Sequence, residues 1–346
     1  MTGGDARIQQ IRDWLTGELG SHLVRLEPAS ADASFRRYFR AWLAHGVTRV
    51  VMDAPPDKED VAPFLKVAAL LEGCGVHVPH IHASDSARGL VLLEDLGSEQ
   101  YLTHLRAGAD VELLYGDALE ALLRIQVHGR EAARELPPYD RAALGREMGL
   151  MPEWFCERHL RLTLDDADRA VLAASFEFLT LEALAQPRVF VHRDYHSRNL
   201  MRLPSRNPGI IDFQDALAGP VGYDLVSLLK DCYIDWPRAR VEHWVSGYRA
   251  RLRGERALAG SDEREFLRWF DLIGLQRHIK VLGIFARLWY RDGKNGYLPD
   301  LPRTFEYVLD TARRYRELRD FAHWLRRRVV PVFAAANARA LALGAS

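Results

Sequence analysis

Between His192 and Phe213 the chain reads HRDYHSRNLMRLPSRNPGIIDF. Two apolar pieces, LMRL and GIID, flank PSRNPG, a run of the Pro, Ser, Asn and Gly residues that build turns. This pattern predicts a β-hairpin with polar residues at its open end. Folding it with Leu203 near Gly209 sets Leu200 opposite Asp212 and brings Asn199 beside Asp212. Asp194 precedes Asn199 by five residues, in a polar loop too short to stray far. Any fold for this chain must therefore accommodate a strand end where two carboxylates and an amide converge.

Such a set is hard and oxygen-rich, with little thiolate or imidazole, and suits magnesium together with phosphate oxygens. Phosphoryl transfer asks for one carboxylate to accept or orient the proton of the attacking hydroxyl. It also asks for an Asp and an Asn to hold the metal that bridges the phosphates. Asp194 fits the first role; Asn199 and Asp212 fit the second. Each residue alone has a plainer use, as a turn cap, a strand cap or a strand-end acid. The ordered trio on one hairpin is the specific signal. His192 and His196 have the spacing of a zinc-binding helix, but they lie in a loop between strands and the H-E-x-x-H glutamate is absent.

The rest of the chain falls into two regions. Ile8, Ile11, Trp14, Leu15 and Leu19 recur at helical spacing. Strand-like stretches follow at 22–27, 34–43 and 47–54, the last two joined across His45-Gly46. A helix is expected from about Asp60 to Gly73 or Gly75, and GLVLLEDLG (89–97) reads as a buried strand with a polar exit. From Tyr101 onward helical patterns dominate, over 110–128, 140–160, 165–185, 237–253, 261–290, 302–318 and 319–340. They are interrupted by β segments at 189–192, 199–203 and 209–213. A small β-rich N-lobe (1–96) and a larger helical C-lobe (97–346) make an α+β, two-lobed layout.

The 346 residues are ample for two lobes. Lys+Arg and Asp+Glu both number 47, and that balance argues against a general nucleic-acid or anionic-membrane binder. Cys74, Cys156 and Cys232 lie far apart, as reduced thiols of a cytoplasmic protein do. The N-terminus carries no signal-peptide pattern and no apolar run is long enough to span a bilayer. A cytoplasmic location without membrane attachment is the expectation.

H-R-D-x-x-x-x-N followed by a strand-borne Asp is the kinase catalytic-loop signature. DFQDALAGPVGYDLVSLL then runs straight from Asp212 to a helix near Tyr223, leaving no room for a peptide-docking activation segment. The chain resembles the aminoglycoside phosphotransferase-like, small-molecule branch of the protein-kinase-like fold. That resemblance implies ATP and Mg2+ as cofactors, with His192 packed beneath the catalytic loop and Asp224 bracing it. It places 29–40 over the ATP phosphates, with Ser34 and Arg37 in reach, and gives adenine to the backbone of Glu94 and Leu96. The third strand should offer a lysine, yet Met52 stands there. Arg37, Arg40 and Lys58 are the substitutes, and Glu59 or Glu72 the helix glutamate.

Longer strings resemble a narrower group, the bacterial N-acetylmuramate/N-acetylglucosamine anomeric kinases of cell-wall recycling. They are DASFRRYFR, MDAPPDKEDVAPF, LLEDLG, IIDFQDALAGPVGYDLVSLLKDCYIDWP and LQRHIKVLGIFARLWYRDGKNGYLPDLPR. The resemblance implies transfer of the ATP γ-phosphate to the C1 hydroxyl of an amino sugar, feeding UDP-sugar synthesis. A sugar site wants aromatic faces and hydrogen-bond partners, which Tyr233, Asp235, Trp236, Arg277 and His278 offer. Arg277 or Lys280 would meet a lactyl carboxylate. The expected partners are ATP and a small amino sugar, with no nucleic acid and no obligate protein partner. The competing readings are an aminoglycoside- or choline-type kinase, which wants an acidic pocket, and a nucleotide-binding pseudokinase, which has no need of a complete metal set.

Overall fold

The computed structural model describes residues 3–31, 35–255 and 261–344. The chain divides into two compact units, Met1–Ala121 with Arg198–Asp215, and Leu122–Ser197 with Ala216–Ser346.

The first unit is built on an antiparallel five-stranded sheet of order β1-β2-β3-β5-β4. Its strands are β1 (Leu23–Ala31), β2 (Arg37–Leu43), β3 (Thr48–Asp53), β4 (Ile81–Asp85) and β5 (Leu90–Glu94). Helix α1 (Gly3–Leu19) lays Ile11, Trp14 and Leu15 on Phe39, Ala41, Val51, Leu90 and Leu92 of one sheet face. Apolar side chains three and four apart on the helix thus meet alternating ones on the strands. Each large side chain so buried contributes about 1.5–3 kcal/mol. The β2–β3 turn is where His45-Gly46 predicted it: Gly46 has φ +79°, and Leu43 N–H donates to Val47 O at 2.8 Å.

Strand β4 went unread because only alternate residues are partly buried, and its polar HASD breaks the apolar run. The turn into β5 requires a glycine. Gly89 has φ +65°, and a Cβ there would fall 1.9 Å from Ala54 O. Helix α2 (Ala62–Gly73) buries Phe64, Val67, Ala68 and Leu71, and Phe64 packs at a tilt against Phe213 with ring centroids 4.8 Å apart. Helices α3 (Tyr101–Arg106) and α4 (Val111–His128) follow.

The hairpin of β7 (Leu200–Met201) and β8 (Gly209–Ile210) belongs to this unit. Ile210 N–H donates to His77 O at 2.8 Å and Arg202 N–H to Glu99 O at 2.6 Å. Its register corrects the expectation. Leu200 pairs with Ile210 and Met201 with Gly209, two residues away from the Leu200–Asp212 pairing. The turn is longer than its sequence suggested because Asn207 organises it. Asn207 Oδ1 accepts from Leu203 N–H at 3.0 Å, and Nδ2 donates to Tyr101 Oη and Asp117, both at 2.7 Å. Alternation alone would set Asn199 and Asp212 on opposite faces in either register; they still meet because Asp212 leaves the extended backbone at φ +64°.

The second unit is helical. It contains α5 (Arg130–Ala133), α6 (Arg141–Met148), α7 (Asp166–Leu184), α8 (Tyr223–Leu229), α9 (Arg238–Gly254) and α10 (Glu263–Tyr290). Helices α11 (Leu301–Arg314), α12 (Arg319–Trp324) and α13 (Val330–Gly344) complete it. Helix α7 starts on a reciprocal capping box of Asp165 and Asp168, and Asp262 caps α10 through Glu265 N–H at 2.7 Å. The helices expected over 140–160 and 319–340 are both interrupted by π-helical stretches, Met151–His159 and Leu325–Val329. Helix α10 is buried nearly all round from Phe270 to Gly283, as the central helix of a bundle must be. At Gly283 it approaches Leu150 so closely that a Cβ would lie 2.4 Å from the Leu150 carbonyl carbon.

Strands β6 (Arg188–Val191) and β9 (Leu217–Pro220) pair antiparallel, from Arg188–Pro220 to Val191–Leu217. The second was missed, since its Gly-Pro reads as turn. Together they aim the chain into the loop that begins at His192. A β-sheet unit and a helical unit form the expected α+β, two-lobed architecture.

Candidate active site

In the first unit, Asn199 precedes β7 and Asp212 follows β8. The backbone ladder continues one step past the strands, with Ile211 N–H donating to Asn199 O at 3.1 Å. Asn199 Nδ2 donates to Asp212 Oδ2 at 3.1 Å, and Gln214 Nε2 to Asp212 Oδ1 at 2.9 Å. Asp212 has φ +64°, a left-handed conformation unusual for a residue with a side chain. Such strain persists where surrounding bonds fix it, as these two do. The donor set fits magnesium: a carboxylate and a carboxamide oxygen, both hard, on residues held within hydrogen-bonding distance.

Other sequence-predicted residues of this unit have definite partners. Arg37 Nε donates to Asp53 Oδ2 at 2.9 Å, and Arg7 binds the other oxygen of this buried carboxylate. Arg40 binds Asp95 at 2.6 Å, a bond that raises its own pKa. Lys58 Nζ instead lies 4.8 Å over the Phe35 ring, and neighbouring Glu59 accepts from Phe35 N–H at 3.3 Å. Met52 is fully buried between Tyr38 and Val91 on adjacent strands. Glu94 accepts from His77 Nε2 at 3.1 Å and from His80 N–H at 3.2 Å. Those bonds hold its pKa low against the opposing effect of burial. Leu96 is buried, its Cδ1 close to Gly209. Ser34 lies outside the described residues.

In the second unit, the loop from His192 to Ser197 is tied at both ends. Asp224, in the first turn of α8, accepts from His192 N–H at 2.7 Å and Arg193 N–H at 3.0 Å. Asp231, just past that helix, accepts from Ser197 N–H at 3.0 Å and from its hydroxyl. Between them Arg193 takes φ +78°, while its guanidinium binds Glu147 and its carbonyl accepts from Ser227 Oγ at 3.3 Å. Asp194 N–H donates to His192 Nδ1 at 3.2 Å, so that nitrogen is the unprotonated one. The ring stands edge-on to Tyr195 at 5.7 Å.

Burial alone would raise the pKa of Asp194. The positive charges of Lys280, His196, Arg277 and Arg193 outweigh it and hold the carboxyl below its ordinary value. Lys280 in turn bonds Glu147 and Tyr223 Oη, both at 3.1 Å. Asp194 is thus an ionised carboxylate at neutral pH.

Asp224 is displaced the other way. Full burial raises it to about 7, against the two backbone N–H groups that favour its charge, and Asp194 adds to the rise. The unfolded chain loses that proton near the usual aspartate pKa of about 3.9. Between about pH 4 and pH 7 the folded state therefore binds the extra proton, and stability falls as pH climbs through this window. The Tm advantage of the native chain over Asp224→Asn is expected to shrink between about pH 5 and pH 7.5. An advantage constant across that range in melting scans removes Asp224 from the linkage.

Of the residues proposed for an acceptor, Tyr233 and Arg277 lie by the segment that anchors the Asp194 loop, while the others have partners elsewhere in this unit. Tyr233 is buried, edge-on to His196 at 5.3 Å. Asp235 is exposed and paired with Arg303 at 3.0 Å, and Trp236 packs edge-on to Trp244 at 6.0 Å. His278 is fully buried, its Nε2–H donating to Lys230 O at 2.9 Å and its ring stacked on Tyr307 at 4.7 Å. Burial first, then the charges of Lys230 and Arg277, keep it neutral. Arg277 bonds Cys232 Sγ at 3.7 Å. Glu147 and Asp231 were missed by sequence reasoning. Asp231 lies past the end of α8, where helical spacing from Asp224 gives no guide to its position.

Comparison with known proteins bears on this arrangement. Residues 25–270 match the phosphotransferase enzyme family. An N-acetylmuramate/N-acetylglucosamine kinase from Pseudomonas putida is 46% identical over 325 residues, covering 91% of this chain and 94% of its own. Among solved structures, a choline/ethanolamine kinase family protein from Mesorhizobium loti superposes with TM-score 0.62 at 15% identity, over 93% of this chain and 99% of that one. The ADP-bound aminoglycoside phosphotransferase APH(2'')-Ib does so with TM-score 0.57 at 14% identity, over 87% and 98%.

Proposed function

The chain belongs to the phosphotransferase enzyme family, and from that premise we propose that it transfers the γ-phosphoryl group of ATP to the C1 hydroxyl of N-acetylmuramate, N-acetylglucosamine or both. The observation that carries the chemistry is Asp194, ionised on a loop anchored at both ends by buried carboxylates. The relatives' name carries the choice of acceptor.

In this reading Asp194 orients the sugar hydroxyl and takes its proton as the oxygen attacks the γ-phosphorus. A new O–P bond forms, the bond to the β–γ bridging oxygen breaks, and ADP leaves with that electron pair. Asn199 and Asp212 would hold magnesium, which when bound offsets the negative charge of the phosphates. The backbone of Glu94 and Leu96 would receive adenine. Lys58 would supply the cation that Met52 does not, since carboxylates hold Arg37 and Arg40. The positive surroundings of Asp194 disfavour the cationic acceptors of aminoglycoside and choline kinases. This activity would salvage cell-wall sugars in the cytoplasm and feed UDP-sugar synthesis.

Purified protein with ATP, magnesium and either sugar is expected to release ADP and yield the sugar 1-phosphate, identified by phosphorus NMR. Turnover of an aminoglycoside or choline, with neither sugar accepted, would move the chain to that branch of the family.

A further inference from the structure

The cations near the Asp194 loop differ in how their charge is balanced. Lys280 has Glu147 at 3.1 Å, Arg193 shares that carboxylate, and Arg303 has Asp235 at 3.0 Å. Arg277 is only 4% exposed, and among the described residues no carboxylate lies within ion-pair distance of it. Among the described residues its one hydrogen-bond partner is the Cys232 thiol, at 3.7 Å, and burial keeps that thiol protonated. Asp194 and Asp231 act on it only from beyond contact. Burying a guanidinium without a direct counter-ion is costly. Yet the residue is not fully sealed, and the exposure it keeps leaves the charge an opening.

The place of that opening is fixed by neighbours. Cys232 follows Asp231, which anchors Ser197 of the Asp194 loop, and precedes Tyr233, which stands against His196 of the same loop. Arg277 therefore meets the short segment that holds the reacting carboxylate in place. We propose that Arg277 binds the carboxylate of an acidic acceptor sugar and sets the preference for acidic over neutral acceptors. The inference rests on the sugar-kinase reading above. Lys280, the other candidate from sequence, is already engaged by Glu147 and Tyr223. A guanidinium suits the task because its planar fork matches a carboxylate in two parallel bonds.

The test is the ratio of kcat/KM on N-acetylmuramate, which carries a carboxylate, to that on N-acetylglucosamine, which does not. Arg277→Gln is expected to lower this ratio about 10–100-fold, the size of a lost charge-assisted hydrogen bond to a buried ion. The change should lie in KM for the acidic sugar, because its carboxylate is remote from the reacting hydroxyl. A ratio within about twofold of the native value overturns the proposal. In that case Arg277 serves Asp194 alone and both sugars suffer equally. A measurement on the native enzyme needs no variant: the methyl ester of N-acetylmuramate should show a KM raised by a similar factor, and an unchanged KM overturns the assignment. Native enzyme that turns over neither sugar sinks the sugar-kinase reading and this inference together. Turnover of both with the ratio unmoved by substitution sinks only the role of Arg277.

Discussion

Asp194→Asn is expected to lower kcat by about 100- to 10,000-fold while leaving the Kd for magnesium nucleotide within about twofold. The change keeps the size of the side chain and its place between His192 and the loop anchors, but removes the group proposed to accept the proton. Because nearby cations hold the native carboxyl below the ordinary aspartate range, its acid limb in kcat should fall below that of an ordinary aspartate. Rapid-quench measurement of sugar phosphate, paired with calorimetric nucleotide titration, separates the two effects. Less than a tenfold loss in kcat would mean that the hydroxyl proton leaves by another route. A large loss of nucleotide affinity would make Asp194 a structural residue instead.

Asp212→Ala should act on the other reactant. Removing its carboxylate strips one hard donor and leaves Asn199 Nδ2 and Gln214 Nε2 without their shared acceptor. Loss of the proposed metal-holding carboxylate is expected to cost about 100-fold or more in kcat/KM, since a bound metal supplies several kcal/mol of charge stabilisation. The distinguishing readout is binding: magnesium should no longer tighten nucleotide affinity in calorimetry, while affinity for metal-free nucleotide persists. If magnesium still tightens binding by the native factor, Asp212 does not hold the metal.

The readable parts of the chain were those where local chemistry and global fold agree. The periodicity of Ile11, Trp14 and Leu15 gave α1 and its buried face, and the turn signals around Gly46 gave the β2–β3 hairpin. Asn199 and Asp212 were legible as neighbours because both stand at the open end of the hairpin whichever of the two registers it takes. The register itself was not, since it depends on Asn207 reaching Tyr101 and Asp117, a contact almost a hundred residues away in sequence. Strand β9 hid behind Gly-Pro, and the π-helical stretches behind patterns that read as unbroken α-helix. Glu147 was illegible for a similar reason: its value comes from Arg193, Lys280 and Tyr139, which only tertiary structure assembles. The imbalance at Arg277 needed a full account of its neighbours.

Helix α10 carries two burdens at once. Gly283 lets it nest against Leu150, and within the two turns before it the same buried rod presents Arg277 and Lys280. Selectivity is therefore welded to the scaffold. A lineage drifting toward a new acceptor would have to rewrite a segment whose every face is already committed, and would pass through poorly folded intermediates. Diversification in such a protein should favour the exposed rim, with this inner rod slow to change.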